Sequence, residues 1–321
     1  MSKIYILHEN DEWLPPFRSA LESAGLDFEE WHLDEGVLSF DSQPPEGIFY
    51  SRMSASAHTR GHTHAPSYTQ HVLNWLELNG RRVVNGSRAL YLEVSKVAQY
   101  AALQAAGVRT PRTRIAVGKD AVLPAARAFA ELPLILKPNR GGKGLGVQLF
   151  QDLESLAAYL ESPEYEAPVD GTWLIQQYIR PAEPYITRAE FIGGRFHYAV
   201  RVDTSQGFEL CPADACAVGD AFCPATPDQE EAPKFQITDD IDPALISTLE
   251  KVLADNGVEV AGIEFIRDIE GNIYTYDINT NTNYNNGAER SAKLAKTGPQ
   301  KLAEFLGEEL QRRAAQAIAA E

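Results

Sequence analysis

The sequence predicts an α/β protein with an α+β portion, and three observations support this fold class. Short apolar runs of strand length alternate with segments of helical periodicity near the N-terminus, beginning with Lys3–Leu7 and Pro16–Ala24. Glycines stand where two predicted helices end, at Gly25 and Gly80, a position that favours left-handed backbone. Later apolar runs are joined by tight turns such as Gly193-Gly194, which is typical of antiparallel hairpins.

Residues 1–90 are predicted to form a small N-terminal α/β lobe. Strands that alternate with helices pair in parallel, because each helix carries the chain back to the same edge of the sheet. The predicted strands are Lys3–Leu7, Leu26–Trp31, Gly47–Tyr50 and Arg82–Asn85, and the predicted helices are Pro16–Ala24 and Ser67–Asn79.

Residues 91–172 and 173–321 are predicted as two further units. They begin with a helix over Tyr91–Ala106 and then become rich in strands. The predicted strands are Arg114–Val117, Leu134–Lys137, Val147–Phe150, Trp173–Tyr178, Thr187–Ile192, Arg195–Val202, Ala261–Arg267 and Ile273–Ile278, with helices over Pro243–Asn256 and Gly298–Ala319. The long irregular segment Cys211–Pro233 is interpreted as a lid or substrate loop.

Composition excludes several classes of protein. The chain has 29 basic and 45 acidic residues, a formal net charge of −16, and such a surface repels nucleic-acid backbones. No apolar stretch approaches the roughly 20 residues of a membrane span, and the acidic sequence after Leu7 does not fit a signal peptide. Three cysteines indicate a reducing, cytoplasmic location rather than a disulfide framework. Homo-oligomer formation is left open.

The predicted strand Leu134–Lys137 ends in a lysine and is followed by a glycine-rich loop. The glycines are Gly141, Gly142, Gly144 and Gly146. Glycine allows positive φ angles, so such a loop can turn its N–H groups towards an anion. The spacing matches neither a Walker loop nor a dinucleotide-binding fingerprint. The loop is therefore interpreted as a phosphate-binding loop, with a flexible hairpin as the alternative.

Three oxygen-bearing side chains lie on the two strands of the next predicted hairpin. Glu264 is central in one strand, and Asp277 and Asn279 share a face of the other, because side chains alternate with a period of two. Burying two carboxylates together is unfavourable unless a cation compensates their charge. An all-oxygen ligand set favours Mg²⁺. The alternative is an edge hairpin whose acids are solvated.

In the order and approximate spacing of these motifs, the chain resembles the ATP-grasp superfamily, and within it the RimK-type glutamate ligases and glutathione-synthetase-like enzymes. The resemblance covers nearly the whole chain. The motifs that carry it are Lys96, Lys137 with its glycine loop, Gln176–Ile179, Arg188, Arg201, Glu264 and Asp277-Ile278-Asn279. It implies an ATP-grasp fold preceded by a Rossmann-like lobe, and a ligase that uses ATP.

The resemblance also implies a role for each of these positions. Lys96 and Lys137 would contact the ATP phosphates and the adenine edge, and the loop Asn139–Gly146 would close over the β- and γ-phosphates. Backbone groups at Gln177, Tyr178 and Ile179 would read adenine, and Glu183 the ribose hydroxyls. Arg188 and Arg201 would act as catalytic residues that stabilise the transferring phosphoryl group, with a surface ion pair as their alternative. Glu264, Asp277 and Asn279 would hold two Mg²⁺ ions, bridged by Asp277, with Mn²⁺ as an alternative ion.

The chain departs from the RimK-type pattern at Ile186, where an aspartate is usual, and at Asp277, where a glutamate is usual. A run of Thr and Asn residues also replaces the usual Pro-Gly-type turn after Asn279. These differences leave the substrate pair open, including whether glutamate is used.

Two further clusters are weaker candidates for substrate or metal binding. Arg52, His58 and Arg60 are interpreted as binding a substrate carboxylate, with a metal site or a plain surface loop as alternatives. Asp214 lies among three cysteines in the long loop and is a candidate to meet an incoming amine. The cysteine spacing is unlike that of a structural zinc site.

The resulting hypothesis is a carboxylate–amine ligase, or a carboxylate–thiol ligase, that joins small-molecule or peptide substrates. ATP would convert a carboxylate to an acyl phosphate, releasing ADP, and an amine would then displace phosphate to form an amide. The alternatives are an ATP-grasp kinase, a non-catalytic ATP-binding protein, and a metal-binding or scaffold protein.

Overall fold

The computed structural model describes residues 3–142, 144–205 and 234–320. The N-terminal sheet is parallel, with the strand order β2-β1-β3-β4. Its strands are β1 (Lys3–His8), β2 (Phe28–His32), β3 (Gly47–Ser51) and β4 (Arg82–Val84), and its helices are α1 (Pro15–Ser23) and α2 (Ala65–Leu78). The predicted parallel sheet is confirmed, with element ends shifted by one or two residues.

The helix predicted over Tyr91–Ala106 is wrong, because the chain forms two helices there: α3 (Ser87–Glu93) and α4 (Lys96–Ala105). Ser95 separates them with an extended backbone, at φ −143° and ψ 102°. Its hydroxyl accepts a hydrogen bond from the Ala98 N–H at 3.2 Å, which is the usual role of serine as an N-cap. The break places Lys96 in the first turn of α4.

The second sheet is antiparallel, with the order β5-β8-β6-β7. Its strands are β5 (Thr113–Val117), β6 (Leu134–Pro138), β7 (Gln148–Phe150) and β8 (Thr172–Gln177), and α5 (Lys119–Phe129) and α6 (Leu153–Glu161) accompany them. These elements bury a core of their own that includes Val122, Leu136 and Trp173. Since β8 pairs with β5 and β6, we propose that this unit ends after Gln177 rather than at residue 172.

The third sheet is also antiparallel, with the order β11-β10-β9-β12-β13. Its strands are β9 (Tyr185–Ile192), β10 (Arg195–Asp203), β11 (Phe235–Thr238), β12 (Val260–Arg267) and β13 (Ile273–Asn279), followed or interrupted by α7 (Pro243–Asp255), α8 (Asn286–Ser291) and α9 (Gly298–Ala320). Gly193 and Gly194 both have positive φ in the β9–β10 turn, which confirms the predicted hairpin. No helix in the described parts of the chain is long and apolar enough to cross a bilayer.

One hydrophobic core joins the first sheet to the third. It contains Ile4 and Ile48 from the N-terminal sheet, Val260 from β12 and Leu302 from α9. Arg82 adds a polar link, because its guanidinium lies 2.6 Å from Glu259 and 2.6 Å from Glu309. We call this set of contacts the shared core. It makes the first and third sheets one packed body.

Candidate active site

A cavity of about 420 Å³ lies between the second and third sheets. The second sheet contributes Lys137 and Gln176, and the third contributes Arg188 and Glu264. The N-terminal lobe closes one end of the cavity with Trp13, Ser54 and Ser56, and the first turn of α4 contributes Lys96. Elements from all three parts of the chain therefore meet at this cavity.

The predicted acid and amide cluster lines this cavity on β12 and β13. Glu264 is paired directly with Asp277, and Gly262 with Asn279, so the three polar side chains share one face. Asn279 Nδ2 lies 3.4 Å from Glu264 Oε1, and Lys96 Nζ lies 2.5 Å from Asp277 Oδ1. Burial raises the pKa of Glu264, against the opposing effect of Arg188. Glu264 is buried, whereas Asp277 and Asn279 are partly buried, and their oxygens are of the kind that attract a hard cation.

A β-bulge shapes this part of the hairpin. The β12–β13 register shifts between Glu264 and Phe265, so Tyr276 is the extra residue on β13. Tyr276 consequently lines the cavity beside Asp277. The bulge was not predicted, because no residue pattern in the two strands marks it.

Lys137 is buried at the end of β6, as predicted for the strand before the glycine loop. Its Nζ donates a 2.6 Å hydrogen bond to the Tyr100 hydroxyl, which also accepts from Gln176 Nε2 at 2.6 Å. Burial, together with the positive charge of Lys96, lowers the pKa of Lys137 to about 7. Tyr100 was missed by the sequence analysis, since its partner Lys137 is 37 residues away.

The glycine loop lies along the cavity, with Gly141, Gly142 and Gly144 among the lining residues. Gly144 and Gly146 have positive φ angles, which accounts for glycine at these two positions. Gly146 is not among the residues that line the cavity, and neither is Asn139.

Asn139 instead supports the start of α4. Its Oδ1 accepts a 2.9 Å hydrogen bond from the Val97 N–H, and its Nδ2 donates one of 2.6 Å to Asp170. This side chain therefore helps to fix the helix that carries Lys96, rather than lining the cavity itself.

The segment that leaves β8 lies at the cavity wall, where the resemblance implies adenine binding. Gln177, Tyr178 and Ile179 all line the cavity. Gln177 Oε1 accepts a 3.2 Å hydrogen bond from the Arg112 N–H, which ties the segment to the start of β5. Glu183 is not among the lining residues.

Arg188 is buried on β9 and is held by three partners. Its Nε donates to Glu190 at 2.8 Å, its Nη1 to Glu264 at 3.1 Å and its Nη2 to the Thr282 hydroxyl at 2.6 Å. Burial alone would lower the pKa of Arg188, but the two carboxylates outweigh it and the net shift is upward. A Cβ atom at position 262 would overlap the guanidinium, so Gly262 lets Arg188 cross the β12 backbone.

Glu190 was missed by the sequence analysis. It is 1% exposed and also accepts a 2.7 Å hydrogen bond from Thr282. Its place two residues after Arg188 on the same strand puts both side chains on one face, and that spacing was the available signal.

Arg201 does not join Arg188 at the cavity, and the expectation that the two act together is corrected. The β9–β10 register pairs Val200 with Arg188 and Arg201 with Thr187. Directly paired residues share a face, so Arg201 points to the face opposite Arg188. It lies 2.7 Å from Asp240. Arg201 therefore forms an ion pair near the surface, which was the alternative interpretation of this residue.

The predicted carboxylate-binding group is also not assembled. Arg60 lies 2.5 Å from buried Glu9, and Arg52 is buried over the Phe17 ring, 2.8 Å from Asn283 Oδ1. His58 Nδ1 lies 3.2 Å from the Ala55 carbonyl. None of the three predicted residues lines the cavity. Asp214 and the three cysteines lie outside the described residues.

Within the described ranges, another group with metal-ligand atoms comprises His8, Asp11 and Glu30, whose ligand atoms lie within 4.8 Å of one another. Both oxygens of Glu30 already accept 2.7 Å hydrogen bonds from Arg18. The arginine thus supplies the positive charge that a metal ion would supply.

Solved structures of low sequence identity share this architecture. An ATP-grasp RimK-domain protein from Sphaerobacter thermophilus aligns with a TM-score of 0.62 at 17% identity, covering 94% of this chain and 99% of the other. The ATP-grasp ligase PsnB, solved with a minimal precursor, Mg and ADP, aligns with a TM-score of 0.64 at 16% identity, covering 96% and 97%. The chain therefore has the ATP-grasp fold, and the predicted fold is confirmed.

Among curated proteins, the chain is similar to "Probable alpha-L-glutamate ligase" of Teredinibacter turnerae, with 26% identity over 140 residues. This match covers 44% of the chain and spans 46% of the relative's length. No protein-family model matches the chain.

Proposed function

We propose that the protein is a Mg²⁺- and ATP-dependent carboxylate–amine ligase that forms an amide bond through an acyl phosphate, releasing ADP and phosphate. The observation that carries the proposal is the Glu264–Asp277–Asn279 cluster, which lines one cavity together with Lys96 and Arg188. The ATP-grasp fold supports it, as does the similarity to PsnB, which was solved with Mg and ADP.

In this proposal, the nucleotide lies between the second and third sheets. Lys137 and Lys96 neutralise phosphate charge, and the N–H groups of the glycine loop hydrogen-bond phosphate oxygens. The segment Gln177–Ile179 contacts adenine through its backbone. Glu183 and Asn139, which do not line the cavity, take no direct part.

Glu264, Asp277 and Asn279 fit a Mg²⁺ site by the chemistry of their donors. All three offer oxygen, and burial together with the charge of Asp277 raises the pKa of Glu264, so a cation at this position would favour its ionised form. Bound Mg²⁺ would neutralise phosphate charge and orient the γ-phosphate for transfer. The proposal includes two Mg²⁺ ions that would share Asp277 as a ligand. It also includes replacement of Mg²⁺ by Mn²⁺.

Arg188 is the cation best placed to act on the reacting groups. Its guanidinium is fixed before any ligand binds, so stabilising the charge on a transferring phosphoryl group needs no rearrangement. The carboxylate oxygen attacks the γ-phosphorus of ATP and ADP leaves. The amine nitrogen then attacks the acyl carbon, phosphate leaves and the amine loses a proton. Exclusion of water from the occupied cavity would limit hydrolysis of the acyl phosphate.

ADP release measures the proposed reaction. With ATP, Mg²⁺ and a pool of amino acids and dipeptides, we expect release that requires both a carboxylate and an amine. Phosphate transfer to a hydroxyl group would indicate a kinase instead. Nucleotide binding without any turnover would indicate a non-catalytic ATP-binding protein.

Asp277→Asn tests the metal assignment. We expect at least a thousandfold loss of turnover, because one shared metal ligand loses its charge. Without nucleotide, the melting temperature should change little: the lost ion pair with Lys96 is offset by less repulsion from Glu264. Glu270→Gln, an acid-to-amide change in the exposed turn of the same hairpin, is the control. Full activity of Asp277→Asn would contradict the metal assignment.

A further inference from the structure

The ammonium of Lys96 lies directly on Asp277, one of the three proposed metal ligands. Lys96 Nζ is 2.5 Å from Asp277 Oδ1, and the two side chains are 12% and 16% exposed. Water and dissolved ions screen such a contact less than they screen an ion pair on the surface. In the free protein, Lys96 therefore gives this carboxylate the positive charge that a metal ion would otherwise give it.

The backbones on both sides of this contact are fixed. Gln99 on α4 accepts a 2.9 Å hydrogen bond from the Ile278 N–H and donates one of 2.8 Å to the Ile278 carbonyl. Tyr100 on the same helix donates a 3.1 Å hydrogen bond to the Tyr276 carbonyl. The residues before and after the carboxylate are thus tied to the helix that carries the ammonium, so the two charged groups stay within reach of each other.

The side chain of Lys96 can move more easily than that of Arg188, which contacts Glu264 in the same cluster. Three partners hold the Arg188 guanidinium, whereas the Lys96 ammonium stands at the end of a flexible four-carbon chain. Lys96 also lines the cavity together with Lys137, where the phosphates of a nucleotide would lie. A triphosphate carries more negative charge than one carboxylate, so it would attract the ammonium away from Asp277.

We propose that Lys96 is an internal counter-ion of Asp277, which keeps Mg²⁺ from binding until the phosphates of a nucleotide draw the ammonium away. The nucleotide-free protein then binds divalent ions weakly, and metal and nucleotide enter the site together. The inference rests on the proposed function and adds to it an order of binding. Because it concerns the free protein, a metal ion alone can test it.

Mn²⁺ binding without nucleotide tests the counter-ion, and electron paramagnetic resonance distinguishes free from bound Mn²⁺. We expect Lys96→Met to bind Mn²⁺ at least tenfold more tightly than the unsubstituted protein, because it removes the competing charge and keeps a side chain of similar length. Lys251→Met removes an exposed lysine from α7 and changes the net charge equally, so it should bind Mn²⁺ like the unsubstituted protein. Equal or weaker Mn²⁺ binding by Lys96→Met would overturn the inference.

A double variant, Lys96→Met with Asp277→Asn, tests where the additional Mn²⁺ binds. It should lose the tenfold gain, because the carboxylate that attracts the ion has become an amide. A gain that persists in the double variant would overturn the assignment to Asp277. Unfolding curves check that the variants fold, and Lys96→Gln, which also removes the charge, takes the place of Lys96→Met if that variant does not.

Release of Lys96 by the nucleotide is tested with a non-hydrolysable ATP analogue. At saturation, the analogue should tighten Mn²⁺ binding by the unsubstituted protein at least tenfold more than it tightens binding by Lys96→Met, because the variant has no ammonium to displace. Equal tightening in both proteins would overturn the inference. Failure of the analogue to bind with Mg²⁺ would contradict the proposed function instead, and the comparison without nucleotide would still test the role of Lys96.

Discussion

At the residue scale, the position of Arg188 depends on groups that lie beside it rather than on its own strand alone. Glu190 and Thr282 hold two of its nitrogens, and Gly262 leaves the space in which it lies. A guanidinium that stabilises a transferring phosphoryl group must be placed accurately, because a displacement of about 1 Å can lower a rate roughly a hundredfold. Glu190 is thus a positioning residue.

Glu190→Gln and Gly262→Ala should share one phenotype. We expect kcat to fall about 10- to 100-fold in each, because the first loosens Arg188 and the second displaces it. The KM for ATP should change by less than about threefold, since neither residue lines the cavity. Steady-state kinetics measures both values. A rise in KM with unchanged kcat would show that Arg188 contributes to binding and not to the chemical step.

We expect the affinity for nucleotide to depend on pH through Lys137. Its pKa of about 7 means that the free protein holds this ammonium below pH 7 and loses it above. Phosphate binds the protonated form better, so affinity for ATP should fall as the pH rises above 7, by up to about tenfold per pH unit. The Lys137→Met variant should bind ATP more weakly, and its affinity should not show this fall above pH 7. Titration of the nucleotide itself affects the variant and the unsubstituted protein equally. Parallel profiles for the two proteins would contradict the assignment.

Contacts in the site could be predicted from the sequence only where the contacting residues lie close together along the chain. Glu264, Asp277 and Asn279 were predictable, because the period of two fixes which residues of one strand share a face. Arg201 was placed wrongly, because its face depends on the register between β9 and β10. The partners of Arg60 and Arg52 lie 51 and 231 residues away in sequence, so no local pattern indicates them.

At the scale of elements, local sequence patterns predicted the strands and the ends of helices, but they did not predict breaks within elements. The parallel sheet and the glycine turns were predicted from alternation and glycine placement. Helix α5 was missed, because Pro124 inside it is unfavourable for helix and interrupts the pattern. The break before α4 was missed because the apolar periodicity continues across Ser95 and hides its capping role.

Ser95→Ala tests the importance of that break. Loss of the cap should lower the free energy of unfolding by about 1 kcal/mol, because the first turn of α4 loses a hydrogen-bond acceptor. ATP affinity should also weaken, since Lys96 lies in that turn. Ser247→Ala, at an exposed position within α7, is the control and should stay within about 0.5 kcal/mol. Chemical denaturation measures both, and equal effects would contradict a capping role.

At the scale of the whole molecule, the cavity separates two bodies with different cores. The second sheet buries its own core, whereas the first and third sheets share one. Movement that opens or closes the cavity should therefore move the second sheet with its helices, because moving the third sheet against the first would disrupt the shared core.

Amide hydrogen exchange can locate this movement. An ATP analogue with Mg²⁺ should slow exchange in β6, β8 and the glycine loop, because the nucleotide would bridge the second and third sheets. Exchange in β1, β3 and α9 should change little. Under the same conditions, the Asp277→Asn variant should show less slowing of exchange in β6, β8 and the glycine loop than the unsubstituted protein. Equal slowing in all three sheets would indicate global stabilisation rather than closure of the second sheet.

The shared core also governs the order in which the chain can fold during synthesis. The apolar face formed by Ile4 and Ile48 is completed by Val260 and by Leu302 of α9, about 250 residues later in the chain. Until those residues have left the ribosome, the N-terminal sheet exposes this face to other nascent chains and to chaperones. The second sheet, whose core is local in sequence, can fold first. Chains ended after residue 180 and released from the ribosome should thus contain a folded second sheet and a protease-sensitive N-terminal lobe.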